Sequence, residues 1–211
     1  MFDFFLEPYR EVLAAIIVLE AIAFLTGTLS VWLAKRENIL VYPVGLVGTT
    51  ITGFLLYRVE YFGDMVINFY YTLMSFYGWY VWGKAKKSVP LPVSRINRNE
   101  KFTGLALFVI TIIVILVVYK VFDYKLRIEN YFDILTSGIF FTAMYYMARK
   151  KIESWILWII GDIIVVPLYA YRGLGMLSVQ YILFTILAIQ AYFEWRKNLN
   201  KKTHPESSGL R

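Results

Sequence analysis

The chain has 211 residues, of which 59% are apolar or aromatic and only 18% are charged, with a formal net charge of +7. Soluble domains carry about 25% charged residues, and this chain lacks the polar surface to cover a soluble core, which excludes an ordinary soluble domain and a disordered chain alike. A polytopic membrane protein remains, with its basic residues in short loops between apolar runs rather than on a nucleic-acid-binding face.

In chain order, Met1–Glu11 carries Asp3, Glu7 and Glu11 and lacks the basic start of a secretory signal, so the first apolar run is expected to be a retained helix. A spanning helix needs about 20 mostly apolar residues. Seven candidates follow: Val12–Ala34, Ile39–Tyr57, Asp64–Trp82, Phe102–Phe122, Asp133–Met147, Trp155–Tyr171 and Met176–Trp195. Glu20 in the first would cost about 3 kcal/mol against lipid and is expected to face protein. Pro43 in the second, followed by Gly45, Gly48 and Gly53, and Pro167 in the sixth are candidate bending points, although both residue types are common in membrane helices in any case.

The third span reads DMVINFYYTLMSFYGWYVW. Asn68, Tyr71, Ser75 and Trp79 recur at helical spacing and share one face, which is expected to line a polar cavity; for Asn68 alone, a hydrogen bond to a neighbouring helix serves as well. Tyr77, Tyr80 and Trp82 read as an interfacial aromatic belt. The fourth span has no charge before Lys120 and reads as a lipid-facing helix. In the sixth, Trp155, Trp158 and Asp162 fall at i, i+3 and i+7. An intramembrane carboxylate is a functional candidate by default. No basic residue lies deep in any span, so Asp162 carries a proton, bonds a neutral partner or faces a cationic ligand. Trp158 offers such a ligand a ring to stack on, worth roughly 0.5–2 kcal/mol, whereas Trp155 reads equally as part of the belt. In the seventh span Gln180 and Gln190 point about 80° apart and flank one face, suited to a sugar-like or amide-bearing ligand or to helix–helix bonding.

The loops set the topology. Six of the twenty-two Lys and Arg (Arg10, Arg58, Lys120, Lys125, Arg127 and Arg172) lie on the side of the N-terminus, and the other sixteen lie opposite. The positive-inside rule then places the N-terminus outside and the C-terminus in the cytoplasm, and it favours an odd number of spans. Lys84, Lys86, Lys87, Arg95, Arg98 and Lys101 fix this topology and can touch anionic lipid heads.

Two stretches resemble each other: KRENILVYPVGLV…YVWGK and KIESWILWIIGDI…FEWRK. Glu37 falls opposite Glu153, Gly45 opposite Gly161, Tyr57-Arg58 opposite Tyr171-Arg172, Trp82 opposite Trp195, and Glu20 opposite Asp133. A duplicated three-helix unit has odd parity, so a linker helix is needed for a parallel copy. The expected architecture is therefore one all-α transmembrane domain in a 3+1+3 arrangement: residues 12–82, a linker helix 102–122, residues 133–195, and a disordered tail 198–211. Transporters built from repeats bind substrate near the midplane, between the repeats. The bland linker also offers a face on which protomers can pack.

The chemistry of enzymes is poorly represented. The chain has no cysteine, its single histidine, His204, sits in the tail, the carboxylates are scattered, and no phosphate-binding loop occurs. No catalytic residue, metal site or cofactor is expected. A seven-helix receptor or sensor is the second reading, weakened by the short basic loop 83–101.

The segments NFYYTLMSFYGWYVW and ESWILWIIGD resemble the nicotinamide riboside transporter family, PnuC, chiefly through Y-G-W-x-x-W ending at Trp82 and E-x-W-x-x-W-x-x-x-D ending at Asp162. The resemblance covers most of Glu20 to Lys197. It implies a fold similar to the SWEET sugar facilitators and a bacterial inner-membrane facilitator for a vitamin or its nucleoside, trapped by a cytoplasmic kinase. It also implies a pocket lined by Asn68, Tyr71, Ser75, Trp155, Trp158, Asp162, Gln180 and Gln190. Ser75 stands where such members often carry an amide, and position 162 is either Asn or Asp among them. Thiamine, another cationic heterocycle with a hydroxyl, is the alternative substrate.

Overall fold

The computed structural model describes residues 13–58, 62–84, 91–121, 123, 126–172 and 175–203. The N-terminal segment through Val12, Lys86, Lys87, Lys125, His204 and the rest of the tail lie outside the described residues. Among those described, regular structure is helical, apart from one isolated bridge between Ser94 and Lys151. The helices are α1 (Ala14–Lys35), α2 (Val41–Arg58), α3 (Phe62–Lys84), α4 (Arg98–Val121), α5 (Ile128–Ala148), α6 (Glu153–Tyr171) and α7 (Gly175–Thr203).

Each expected span corresponds to one helix, and the departures have local causes. α5 starts at Ile128 rather than Asp133, because Asn130 accepts the Arg127 N–H at 2.8 Å and Glu129 suits the positive end of the helix dipole. α7 continues to Thr203, so residues 198–203 are helical and do not belong to a disordered tail; Asn198 is fixed by a hydrogen bond to Glu37. Pro43 falls in the first turn of α2, where an N–H would have no intrahelical partner anyway, so it bends nothing. Pro167 does lie inside α6, which runs on through it.

α1, α4, α6 and α7 are long and apolar enough to cross a membrane. α2 contributes a shorter apolar stretch, Val41–Leu55, and α5 is the helix with the longest run of buried residues, from Thr136 to Phe140 and again at Thr142, Ala143 and Tyr146 to Ala148. The helices pack in sequence, α1 on α2, α2 on α3, α5 on α6 and α6 on α7; α3 meets α5 and α7 meets α1, closing a ring of six. α4 docks on α5 from outside that ring. There Phe108 fits against Gly138, and Tyr146 bonds the Glu100 carbonyl across Gly104.

The core is concentrated at one end of the ring, where α1, α3, α5 and α7 finish and α2, α4 and α6 begin. This basic end buries Tyr42, Trp82, Trp155 and Trp195 with Ala34, Val93, Met147, Ile152, Ala188 and Ala191. Trp82 stands edge-on to Tyr42 (centroids 5.2 Å) and Trp195 edge-on to Trp155 (5.3 Å). The Trp82 indole N–H donates to the Ala148 carbonyl that ends α5, and the Trp195 N–H donates to the Ala34 and Lys35 carbonyls that end α1. Each indole thus satisfies orphan carbonyls of a helix end. The connection before α4 is tied in as well: Ser94 exchanges backbone bonds with Lys150 and Ile152, and Glu100 accepts Lys151 at 2.9 Å.

Candidate functional site

Between the two ends, α3, α5, α6 and α7 bring aromatic rings together. On α6, Trp158 lies 6.0 Å from Tyr71 of α3 and stacks on Phe140 of α5 at 5.3 Å. Phe140 also meets Tyr181 of α7 at 6.2 Å. Gly161 makes this possible, because a Cβ there would sit inside the Phe140 ring. On the opposite side of the ring, Gly48 performs the same service, letting α2 approach Gly27 and Thr26 of α1.

Asp162 lies next to Gly161 and one turn beyond Trp158. It is 1% exposed, and its Oδ1 has no hydrogen-bond partner among the described residues. A carboxylate oxygen buried without a donor is costly, so such a group needs a functional explanation. Its situation contrasts with that of Asp133, whose two carboxylate oxygens are held by the Arg172 guanidinium, with Nη1–Oδ1 at 3.0 Å. Asp133 is thereby accounted for by structure alone.

The predicted residues divide into three sets. Tyr71, Trp158 and Asp162 fall in or beside the aromatic cluster. Half-buried Asn68 is one turn from Tyr71 and lies against Gly53 of α2, and half-buried Gln180 packs on Gly27 of α1, adjacent in sequence to Tyr181. A second set is deeper toward the basic end. Ser75 is buried and bonds the Tyr71 carbonyl at 2.8 Å, while Trp155 is 1% exposed within the aromatic core, its Nε1 without a partner among the described residues. Gln190 stands apart: it is exposed at the basic end and accepts the Lys35 ammonium at 2.8 Å. Trp79 is also outside, being 43% exposed, so the inward face of α3 runs Tyr71, Ser75, Gly78, Trp82.

Sequence reading missed Phe140 and Tyr181. Phe140 sits in the apolar run GIFF, where only the small residue at Gly161 of another helix reveals that its ring has somewhere to go. Tyr181 was overshadowed by the amide beside it. An open groove of about 540 Å³, lined by Phe76, Trp79, Tyr80, Gly83 and Lys84, lies on the outer face of α3, away from this cluster. The interior cluster is built from Tyr71, Phe140, Trp158 and Tyr181.

A ring of packed membrane helices enclosing a polar and aromatic interior, with a buried carboxylate at mid-depth, defines a multi-pass membrane protein of the transporter class. The chain belongs to the nicotinamide mononucleotide transporter family, whose profile matches residues 17–197. It is 23% identical over 201 residues to the nicotinamide riboside transporter PnuC of Escherichia coli (strain K12), covering 84% of each chain. It is 20% identical over 189 residues to the riboflavin/roseoflavin transporter RibM of Streptomyces davaonensis, covering 87% of this chain and 86% of that one. The crystal structure of the vitamin B3 transporter PnuC superposes with a TM-score of 0.72 at 20% identity, over 87% of this chain and 82% of that one, a likeness of fold.

Proposed function

We propose that the protein is an inner-membrane facilitator for a cationic vitamin or vitamin nucleoside, nicotinamide riboside in the first place, moved down its gradient and trapped by a cytoplasmic kinase. The observation that carries this reading is Asp162. Its buried, unpartnered oxygen lies one turn from Trp158, whose neighbours are Phe140 and Tyr71. A carboxylate with an aromatic wall suits a flat cationic ring through Coulomb attraction and cation–π stacking together. Asn68 and Gln180 flank the rings with amides for a ribose or carboxamide, and Ser75 and Trp155 form the floor toward the basic end. Gln190 contributes at most from the rim.

We further propose a 3+1+3 plan of the SWEET kind, with α1–α3 and α5–α7 as parallel units joined by α4. Several features recur 113 residues apart and support this: Tyr42 and Trp155, Trp82 and Trp195, Gly48 and Gly161, and the left-handed residues Glu37 and Lys150. Lys and Arg concentrate at the basic end, which argues for a cytoplasmic C-terminus.

The test is titration calorimetry on the purified protein with nicotinamide riboside, thiamine and riboflavin. Binding of nicotinamide riboside that is weakened roughly two- to thirtyfold in Trp158→Ala is the expected result. Thiamine alone would keep the site and change the vitamin. Riboflavin alone would sink the cationic reading, since the flavin ring carries no positive charge.

A further inference from the structure

The basic end carries an ion pair whose placement its own helices do not explain. α1 and α5 finish in the same way. The Asn38 N–H returns to the Leu33 carbonyl and the Glu37 N–H to Ala34, while the Lys151 N–H returns to Tyr146 and the Lys150 N–H to Met147. In this termination the residue after the cap is left-handed, and glycine is the usual occupant because other residues are strained there. Here the occupants are Glu37 at φ 55° and Lys150 at φ 52°. Glu37 is doubly misplaced, since a carboxylate at a helix C-terminus opposes the dipole.

Both choices make sense only in relation to each other. Lys150 Nζ meets Glu37 Oε2 at 3.0 Å, with the lysine side chain 4% exposed, and lies 4.4 Å from the centroid of the Trp82 ring. Asn198 of α7 donates to Glu37 Oε1 at 2.8 Å. The pair therefore ties the ends of α1, α3, α5 and α7 at one point. Beneath it, the Trp82 and Trp195 indoles bond helix ends of the opposite three-helix group. These contacts all cross between α1–α3 and α5–α7, so parting the two groups at this end breaks them together. At the other end, the Asp133–Arg172 pair stays between α5 and α6, inside one group.

We infer that Glu37 and Lys150 are positioning residues of a latch: they hold the basic end closed beneath the substrate site and must separate once in each transport cycle. This rests on the facilitator reading. Strain at both left-handed residues lowers the cost of leaving the closed arrangement, and an exchange of one buried ion pair for water gives two discrete states rather than a continuum.

The chain contains no cysteine, so introduced pairs report without background. In the Glu37→Cys, Lys150→Cys double variant in proteoliposomes, cross-linking by a reducible bis-methanethiosulfonate reagent that spans the length of the native pair is expected to cut uptake of labelled nicotinamide riboside at least tenfold. Reductant should restore it, and binding measured by calorimetry should stay within threefold. Full uptake by fully cross-linked protein would overturn the latch. A second measurement needs neither transport nor a cross-link. Ala191→Cys, at a fully buried site beneath Trp195, should react with a water-soluble maleimide at least tenfold faster when combined with Lys150→Gln. The exchange Glu37→Lys with Lys150→Glu should return it to the slow rate. Equal rates in all three backgrounds would refute the latch, whereas absent uptake with this labelling pattern intact would refute only the facilitator reading.

Discussion

The two ends of the helix ring are built differently. At the basic end, four large aromatics are packed edge to face, two indoles close orphan carbonyls, and the 91–97 connection is bonded in. At the opposite end, the contacts among the described residues include the half-buried Asp133–Arg172 pair and a bond from Ser178 to the Val166 carbonyl at 3.0 Å. At the basic end, buried indoles close the ends of α1 and α5, while Tyr42 Oη, Ser154 Oγ and Trp155 Nε1 are buried without a partner among the described residues. Among the described residues, one end is thus held by buried aromatic packing, and the other includes an ion pair at partly exposed positions.

This contrast sets the order of expected effects. Trp195→Ala removes a fully buried ring and strands the Ala34 and Lys35 carbonyls, so thermal unfolding in detergent should show a loss of roughly 3–5 kcal/mol. Trp79→Ala, an exposed ring on the outer face of α3, should change stability by about 0.5 kcal/mol or less in the same assay, which separates the seal from tryptophan content as such. Gly161→Ala forces Phe140 off α6 at mid-depth and should cost about 1–3 kcal/mol, with Trp158 fluorescence altered because its stacked neighbour has moved. Trp158→Ala should weaken binding of a cationic ring by roughly 0.5–2 kcal/mol, while leaving the unfolding midpoint nearer to that of the unaltered protein than Trp195→Ala does. At the opposite end, Asp133→Asn should cost no more than about 1 kcal/mol, decreasing with added salt, so that only Trp79→Ala is expected to do less. If Asp133→Asn destabilised as much as Trp195→Ala, the difference between the ends would be an illusion of geometry.

The number and approximate limits of the helices were legible in the sequence because a membrane span is a composition signal. Enclosure was legible for one helix and not for another. The featureless α4 reads as lipid-facing, and Phe102, Leu105, Ile110, Ile113, Val114 and Val121 do point outward, whereas α5, shorter and more polar by sequence, gave no sign of being the most enclosed. In a bilayer apolarity reports contact with lipid, and small or hydroxylated residues report contact with protein. The α6 stripe of Trp155, Trp158 and Asp162 was visible from spacing alone. Phe140 was not, since its importance depends on a glycine in a different helix. Gln190 looked like a ligand group by type and depth but belongs to Lys35. Glu37 aligned by letter with Glu153, although its partner in space is Lys150, which lies 113 residues away. Periodicity gives the face of one helix and cannot say which face of another will meet it.

The length of α7 has a mechanical consequence. Its 29 residues make a rod of about 44 Å, well beyond the roughly 30 Å hydrocarbon layer, and it is bonded to the end of α1 through Trp195 and to Glu37 through Asn198. A rigid rod pivoting near its middle magnifies small rotations at its tip: a tilt of about ten degrees moves the end by roughly 4 Å. A spin label on the final turns of this helix is therefore expected to report any such tilt, as a change in its distance from a second label on α4.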